Sequence, residues 1–167
     1  MVFLPQLCIM VDKLQHWREQ KLNLPSFDFR IREEENGNVS IFDPLRRKYL
    51  VLTPEEWVRV HLVHYLTAYL DYPKSLISLE RGLRYHALQK RFDILVRDRT
   101  GSAFLLIECK APGIPLTQKV VEQVSVYNQK IQAGFLGISN GNTHICMQRD
   151  AGTGKYRQIQ HFPDFSS

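Results

Sequence analysis

The apolar positions of this chain change period several times, and each change marks an element. From residue 27 to residue 52 they alternate: Phe27, Phe29 and Ile31 share one face, Asn36-Gly37 makes a tight turn, and Val39 and Ile41 open a return strand. A β-hairpin is expected there, preceded by a short polar helix over residues 12–22. At Thr53-Pro54-Glu55-Glu56 the period becomes helical. A hydroxyl N-cap, a proline at the first helical position and an acid at the third predict a helix to about Tyr69, with Trp57, Val60, Leu62, Val63, Leu66 and Tyr69 as its apolar stripe. Strands are expected at residues 76–80, 83–96 (with a break near Gln89-Lys90) and 103–109. The turn residues Asp98 to Ser102 make the last two an antiparallel pair. Pro112-Gly113-Ile114-Pro115 then breaks the chain and Thr117 caps a second helix to about Gln132. Strands over 134–139 and 143–148 and a last segment over 156–162 close the pattern. The elements predict an α/β fold with a mixed central sheet flanked by helices. Residues 1–52 form an N-terminal helix and hairpin appendage, and residues 53–167 the main domain.

Composition narrows the class. A length of 167 residues suits one sizeable core, and 44% hydrophobic with 23% charged residues excludes a disordered chain. The net charge of +5 is compatible with a polyanionic partner without demanding one. Cys8, Cys109 and Cys146 are widely spaced, which argues against a disulfide framework and a structural zinc site. Residues 2–11 are apolar but have no basic segment before them and no small-residue cleavage site after them. No stretch reaches the roughly 20 apolar residues of a membrane span, so a cytoplasmic protein is expected, with Met10 as an alternative start.

The chemistry lies where two core strands carry charge. Arg91-Phe92-Asp93-Ile94-Leu95-Val96 and Leu105-Leu106-Ile107-Glu108-Cys109-Lys110 both read as largely buried, yet Asp93, Glu108 and Lys110 interrupt them. An unpaired buried carboxylate costs several kcal/mol or shifts its pKa, so two acids and an amine on neighbouring strands suggest a bound cation. Alternation puts Glu108 and Lys110 on one face and Cys109 on the other. Asp93 and Glu108 supply hard oxygen ligands for Mg²⁺ or Mn²⁺, the Cys109 backbone carbonyl can supply a third, and Lys110 can orient the attacking water. The bland alternative is a buried ion pair, which is seldom a net gain in stability.

Asp93 followed by Glu108-Cys109-Lys110 resembles the signature of the PD-(D/E)xK nuclease superfamily, with Phe92 in place of its proline. Gln123-x-x-x-Tyr127, within the stripe Leu116, Val120, Val124, Tyr127 and Ile131, resembles the Q-x-x-x-Y motif of the exonuclease-like branch. The wider run from Leu52-Thr53-Pro54-Glu55-Glu56-Trp57 through Leu79-Glu80, Lys90-Arg91-Phe92-Asp93, Ile107-Glu108-Cys109-Lys110 and Gln123 to Ser139-Asn140-Gly141 is similar to the N-terminal nuclease domain of type I restriction enzyme R subunits, over about residues 50–148. The resemblance implies a restriction-endonuclease-like fold, a Mg²⁺ site at Asp93 and Glu108, Lys110 as the catalytic amine and Gln123 and Tyr127 in support. It implies DNA as substrate, with the motor and specificity subunits of a restriction system as partners. No G-x-x-x-x-G-K-[ST] loop occurs in these residues, so ATP hydrolysis is not expected of them.

Secondary candidates keep two readings each. Glu56 either reaches the metal from the first helix or completes a capping box, and Glu80 either lines the site or pairs with Arg81 or Arg84. Gln123 and Tyr127 are either site residues or a polar pair within the core. His61 and His64 sit three apart on the helix but lack an adjacent third ligand, so they are not expected to bind metal. Arg81, Arg84, Lys90, Arg91, Lys119 and the run Arg46-Arg47-Lys48 are candidate DNA contacts, each of which also reads as a solvated surface charge. The function expected is metal-dependent DNA hydrolysis. Its rivals are a non-catalytic DNA-binding or interaction module that keeps the nuclease fold, and an RNA nuclease distinguished by groove shape and 2′-OH contacts.

Overall fold

The computed structural model describes residues 13–79 and 92–165. Residues 13–19 are helical (α1). Three strands follow, β1 (Ile31–Glu33), β2 (Val39–Asp43) and β3 (Lys48–Val51), paired antiparallel in the order β1-β2-β3. Helix α2 (Pro54–Ala68), a 3-10 turn at Lys74–Leu76 and the short strand β4 (Ile77–Ser78) lead to β5 (Ile94–Arg97) and β6 (Ala103–Cys109). Helix α3 (Gln118–Ile131) precedes β7 (Phe135–Ser139), β8 (His144–Arg149) and β9 (Tyr156–Ile159). Strands β4 to β9 form one six-stranded sheet in sequence order. The β6–β7 pair is parallel and the other pairs are antiparallel, so α3 is the crossover helix of a β-α-β unit.

The layers follow from alternation along the central strands. Ile94, Val96, Leu105, Ile107 and Cys109 point to one face, where they pack with Val58, Leu62, Val63 and Leu66 of α2. Leu95, Leu106, Leu136 and Ile138 point to the other, where Val124 covers them from α3, with Val120 and Ile131 packed alongside. The far side of α2 carries Trp57 and Val60 into a third cluster with Val39 and Ile41 of the small sheet. Helix α2 is therefore enclosed between two sheets, which is why Val58, Arg59 and His61 are buried as well as its apolar stripe. Tyr69, expected in that stripe, is instead 56% exposed at the C-cap, where the helix has already ended. His61 and His64 pack as aromatic surfaces: both rings lie against Phe27, and His61 Nδ1 lies 2.9 Å from the Trp57 carbonyl.

Two local expectations are corrected. The Asn36-Gly37 turn is not a two-residue hairpin, because Glu33 pairs with Val39 and leaves residues 34–38 as the loop. Glu34 N–H donates to the Asn38 carbonyl at 2.8 Å, and Gly37 takes the left-handed conformation (φ 76°) that glycine adopts without strain. The return strand is also broken at residues 44–47, because Asp43 Oδ1 accepts the N–H groups of Leu45 at 2.9 Å and Arg46 at 3.1 Å. A carboxylate that caps its own turn competes with the ladder, and the chain reverses into β3.

Asp43 also ties the small sheet to α2. Arg59 donates to Asp43 Oδ2 at 2.9 Å and pairs with Glu56, and all three residues are almost wholly buried. Burial pulls the Arg59 guanidinium below its ordinary pKa, and the charge of Asp43 opposes that pull. Replacing Arg59 by Met leaves two carboxylates buried without their shared cation. The expected loss in urea denaturation at pH 7 is about 3 to 5 kcal/mol, shrinking as the pH falls and the acids take up protons. A loss under about 0.5 kcal/mol would show that this cluster does not hold the two sheets together.

Candidate active site

The site is built on the pairing of β5 with β6. Ile94 lies across from Ile107 and Leu95 from Leu106, so continuing that register puts Asp93 across from Glu108. Residues opposite one another in an antiparallel pair share a face, and here it is the face covered by α3. Asp93 N–H donates to the Ile107 carbonyl at 3.3 Å, and Asp93 Oδ2 accepts the Cys109 N–H at 2.7 Å. The second bond ties the acid of one strand to the backbone between the two charged residues of the other. Lys110 Nζ donates to Glu108 Oε1 at 2.8 Å, with the two side chains 29% and 17% exposed. The ion pair is thus sheltered and still open to a ligand.

Electrostatics mark Glu108 as the strained member. Burial raises its pKa above the ordinary 4.5, the nearby Asp93 charge raises it further, and Lys110 opposes both. Asp93 and Glu108 are a hard-oxygen donor pair of the kind that Mg²⁺ and Mn²⁺ take, and their mutual repulsion is what such a cation relieves. Among the described residues no three His, Cys, Asp or Glu side chains group as a metal site. Cys109 points into the opposite core, where burial above all raises its thiol pKa well beyond the ordinary range; its side chain is an inert core group.

The other candidates divide. Glu56 lies on α2 in the buried pair with Arg59, and its N–H donates to Thr53 Oγ1 at 3.1 Å, one half of the capping box. Gln123 sits on α3 with its side chain exposed, which corrects the reading of it as half of a polar pair within the core: neighbouring α3 positions close the core without it. The side chain of Tyr127, and Glu80, Arg81, Arg84, Lys90 and Arg91, lie outside what the structure describes. Lys119 is exposed in the first turn of α3.

Sequence reasoning assigned no role to the corner that supports Lys110. Lys110 N–H donates to the Ser139 carbonyl at 2.8 Å, which ties the end of β6 to the end of β7. Asn140 Nδ2 donates to the Ile114 carbonyl at 2.8 Å, while Asn140 Oδ1 accepts the N–H groups of Asn142 and Thr143. The loop from Lys110 to α3 is therefore pinned to the β7–β8 turn. Gly141 takes φ 83° with Leu22 and Val58 pressed against it, so a side chain there would meet both strain and a clash. The visible signal was Ser139-Asn140-Gly141, a polar turn directly after a buried strand.

With this geometry in hand, comparison with known proteins is informative. The family described as the type I restriction enzyme R protein N terminus matches residues 54–163. Among solved structures, a fragment of an HsdR subunit of a type I restriction enzyme from Vibrio vulnificus YJ016 is 22% identical, with a TM-score of 0.35, over 53% of this chain and 17% of that chain. The chain thus spans less than a fifth of that protein's length. None of the curated proteins matches the chain.

Glu108 generates a pH prediction. Its raised pKa means that, between the ordinary carboxylate value and the raised one, the folded state holds more of this proton than the unfolded chain does. Its contribution to stability is complete below the ordinary carboxylate pKa and is lost as the pH rises through the raised value. Glu108→Gln is therefore expected to raise the metal-free melting temperature at pH 7 and to flatten its decline above pH 4.5. A lower melting temperature at pH 7 would show that the Lys110 pair outweighs burial and repulsion.

Proposed function

Because the chain belongs to the type I restriction enzyme R protein N-terminal family, we propose that it is a metal-dependent DNA nuclease domain that hydrolyses phosphodiester bonds within a restriction system, alongside motor and specificity subunits. The observation that carries this reading is the cluster of Asp93, Glu108 and Lys110 on one sheet face, with Glu108 held above its ordinary pKa by burial and by Asp93. In this reading Asp93, Glu108 and the Cys109 carbonyl hold one Mg²⁺ or Mn²⁺, with Glu80 as a further candidate ligand. When bound, such a cation supplies Lewis-acid polarisation of the phosphodiester.

The residues of the chain do the rest. Lys110, held at Glu108 by a 2.8 Å bond, places positive charge where negative charge develops on the phosphoryl oxygens and orients the attacking water. The Asp93 to Cys109 N–H bond fixes one carboxylate oxygen of Asp93 against the backbone of the Glu-x-Lys strand. Gln123, exposed on α3, offers an amide to a phosphate oxygen, and Tyr127, one helical turn on, offers a hydroxyl. The Ser139 carbonyl and Asn140 hold the backbone of Lys110 and the loop that follows it, so they position the amine.

Incubation with supercoiled plasmid and with single-stranded DNA is expected to give cutting in Mg²⁺ or Mn²⁺ and none in EDTA. Asp93→Ala and Lys110→Ala are each expected to lower the rate by about 100-fold or more. Gln123→Leu is expected to leave stability within about 0.5 kcal/mol, as befits an exposed position, while slowing cleavage. Metal-independent DNA binding with no cutting would make the domain a non-catalytic DNA-binding module. Cutting of RNA in preference to DNA would reassign the substrate.

A further inference from the structure

The outer face of the three-stranded sheet carries a feature that the cluster at Asp93, Glu108 and Lys110 does not explain. Val39, Ile41 and Asp43 of β2 point inward to α2, so Phe42 points outward, and its partner Tyr49 on β3 shares that face. The two rings meet edge to face with centroids 5.4 Å apart. The Arg30 guanidinium lies over the Phe42 ring at 3.9 Å, and that of Arg32 over the Tyr49 ring at 3.9 Å. Both arginines are exposed, as is Arg47 at the neighbouring turn.

A guanidinium held over a ring uses its π face and keeps in-plane N–H donors for another partner. Arg32 gives its Nε to Glu34 at 2.9 Å, which fixes the group further and leaves its terminal nitrogens for a ligand. The rings are covered by the arginines and offer no open platform for stacking bases, which argues against a single-strand reader. What remains is a pair of oriented donors, Arg30 and Arg32, with the exposed Arg47 at the neighbouring turn, suited to the phosphate backbone of a duplex. The turn at the end of this small sheet reaches the end of the large sheet that carries Asp93: Arg46, between Phe42 and Tyr49, donates to the carbonyl of Leu79. Leu79 follows the Ser78–Leu95 pair, and the same register puts it across from Ile94, next to Asp93.

We propose that this sheet face is a duplex-DNA backbone contact, in which Arg30 and Arg32, oriented by Phe42 and Tyr49, bind phosphates of the DNA that the active site cuts, with Arg47 adding charge. The contact is independent of base sequence, and it rests on the reading of Asp93, Glu108 and Lys110 as a DNA nuclease site.

The test is the salt dependence of binding to a fluorescent 30-base-pair duplex, measured by anisotropy in EDTA so that no cutting occurs. Against wild type, Arg30→Gln/Arg32→Gln is expected to weaken binding about tenfold or more at 0.1 M salt and to lower the log–log salt slope by about 2, the value for two lost phosphate contacts. Arg30→Lys/Arg32→Lys is expected to restore the slope but not the full affinity, because the charge returns without the stacked geometry. Lys155→Gln/Arg157→Gln removes the same charge at exposed positions on or beside β9, at the far edge of the large sheet, and is expected to leave the slope unchanged. An unchanged slope in Arg30→Gln/Arg32→Gln, an equal fall in Lys155→Gln/Arg157→Gln, or tighter binding to duplex RNA would overturn the assignment of this face while leaving metal-dependent cleavage untouched. A wild type that binds no duplex at any salt would overturn both this face and the DNA nuclease reading.

Discussion

Everything at the candidate site depends on one residue of slack in the pairing of β5 with β6. At the turn end Arg97 pairs with Ala103, but Val96 pairs with Leu105, so Phe104 is the extra residue of a bulge. Without it the register would put Asp93 across from Ile107, on the face where Ile107 is buried against α2. With it, Asp93 shares a face with Glu108 and Lys110. A one-residue slip turns every side chain of a strand to the opposite face, so the bulge is what places the acid beside the Glu-x-Lys strand. The turn is held firmly enough to set it: Asp98 Oδ1 accepts the N–H groups of Thr100 and Ser102, each at 2.9 Å. The extra side chain is used as well, since the Phe104 ring packs against Phe135 and Phe165.

Two groups of charge flank β6, and they differ in kind. Behind it, Arg59 is shared between Asp43 and Glu56 in a nearly dry setting. Arginine suits such a place because its charge is hard to remove and its fork meets two acids at once. In front, Lys110 pairs with Glu108 at 2.8 Å, part of the group is open to solvent, and burial above all pushes Glu108 up in pKa. The first arrangement is a fastening between the small sheet and α2. The second is partly open to solvent, which is what the proposed binding of a cation and a phosphate requires of it.

Local rules carried much of the fold. Thr53-Pro54-Glu55-Glu56 starts α2 at Pro54 because proline and a hydroxyl cap act on the first turn alone. β6 was legible because its apolar run is bounded by a turn and by charge, and α3 because its stripe repeats at helical spacing. The acids and the amine were legible for the same reason, as charges where a core strand should have none. What stayed hidden is tertiary. Nothing near Arg59 in the chain announces that it meets Asp43 sixteen residues away. Gln123 falls within the helically spaced apolar stripe of α3, one residue before Val124, yet its direction from α3 is settled by where the sheet lies beneath the helix. Asn128 is another such case: it is buried and exchanges hydrogen bonds with Ala133 through both ends of its amide, closing the chain after α3 in a way no periodicity encodes.

The proposed divalent-cation site at Asp93 and Glu108 rests on the register of β5 and β6. Electron paramagnetic resonance of free Mn²⁺, titrated with the protein in the absence of DNA, reads this directly, because protein-bound Mn²⁺ loses the sharp six-line signal. The account expects wild type to take up one Mn²⁺ per chain and Asp93→Asn/Glu108→Gln to take up essentially none at the same concentrations, with both proteins folded. Equal uptake by the two proteins would contradict it.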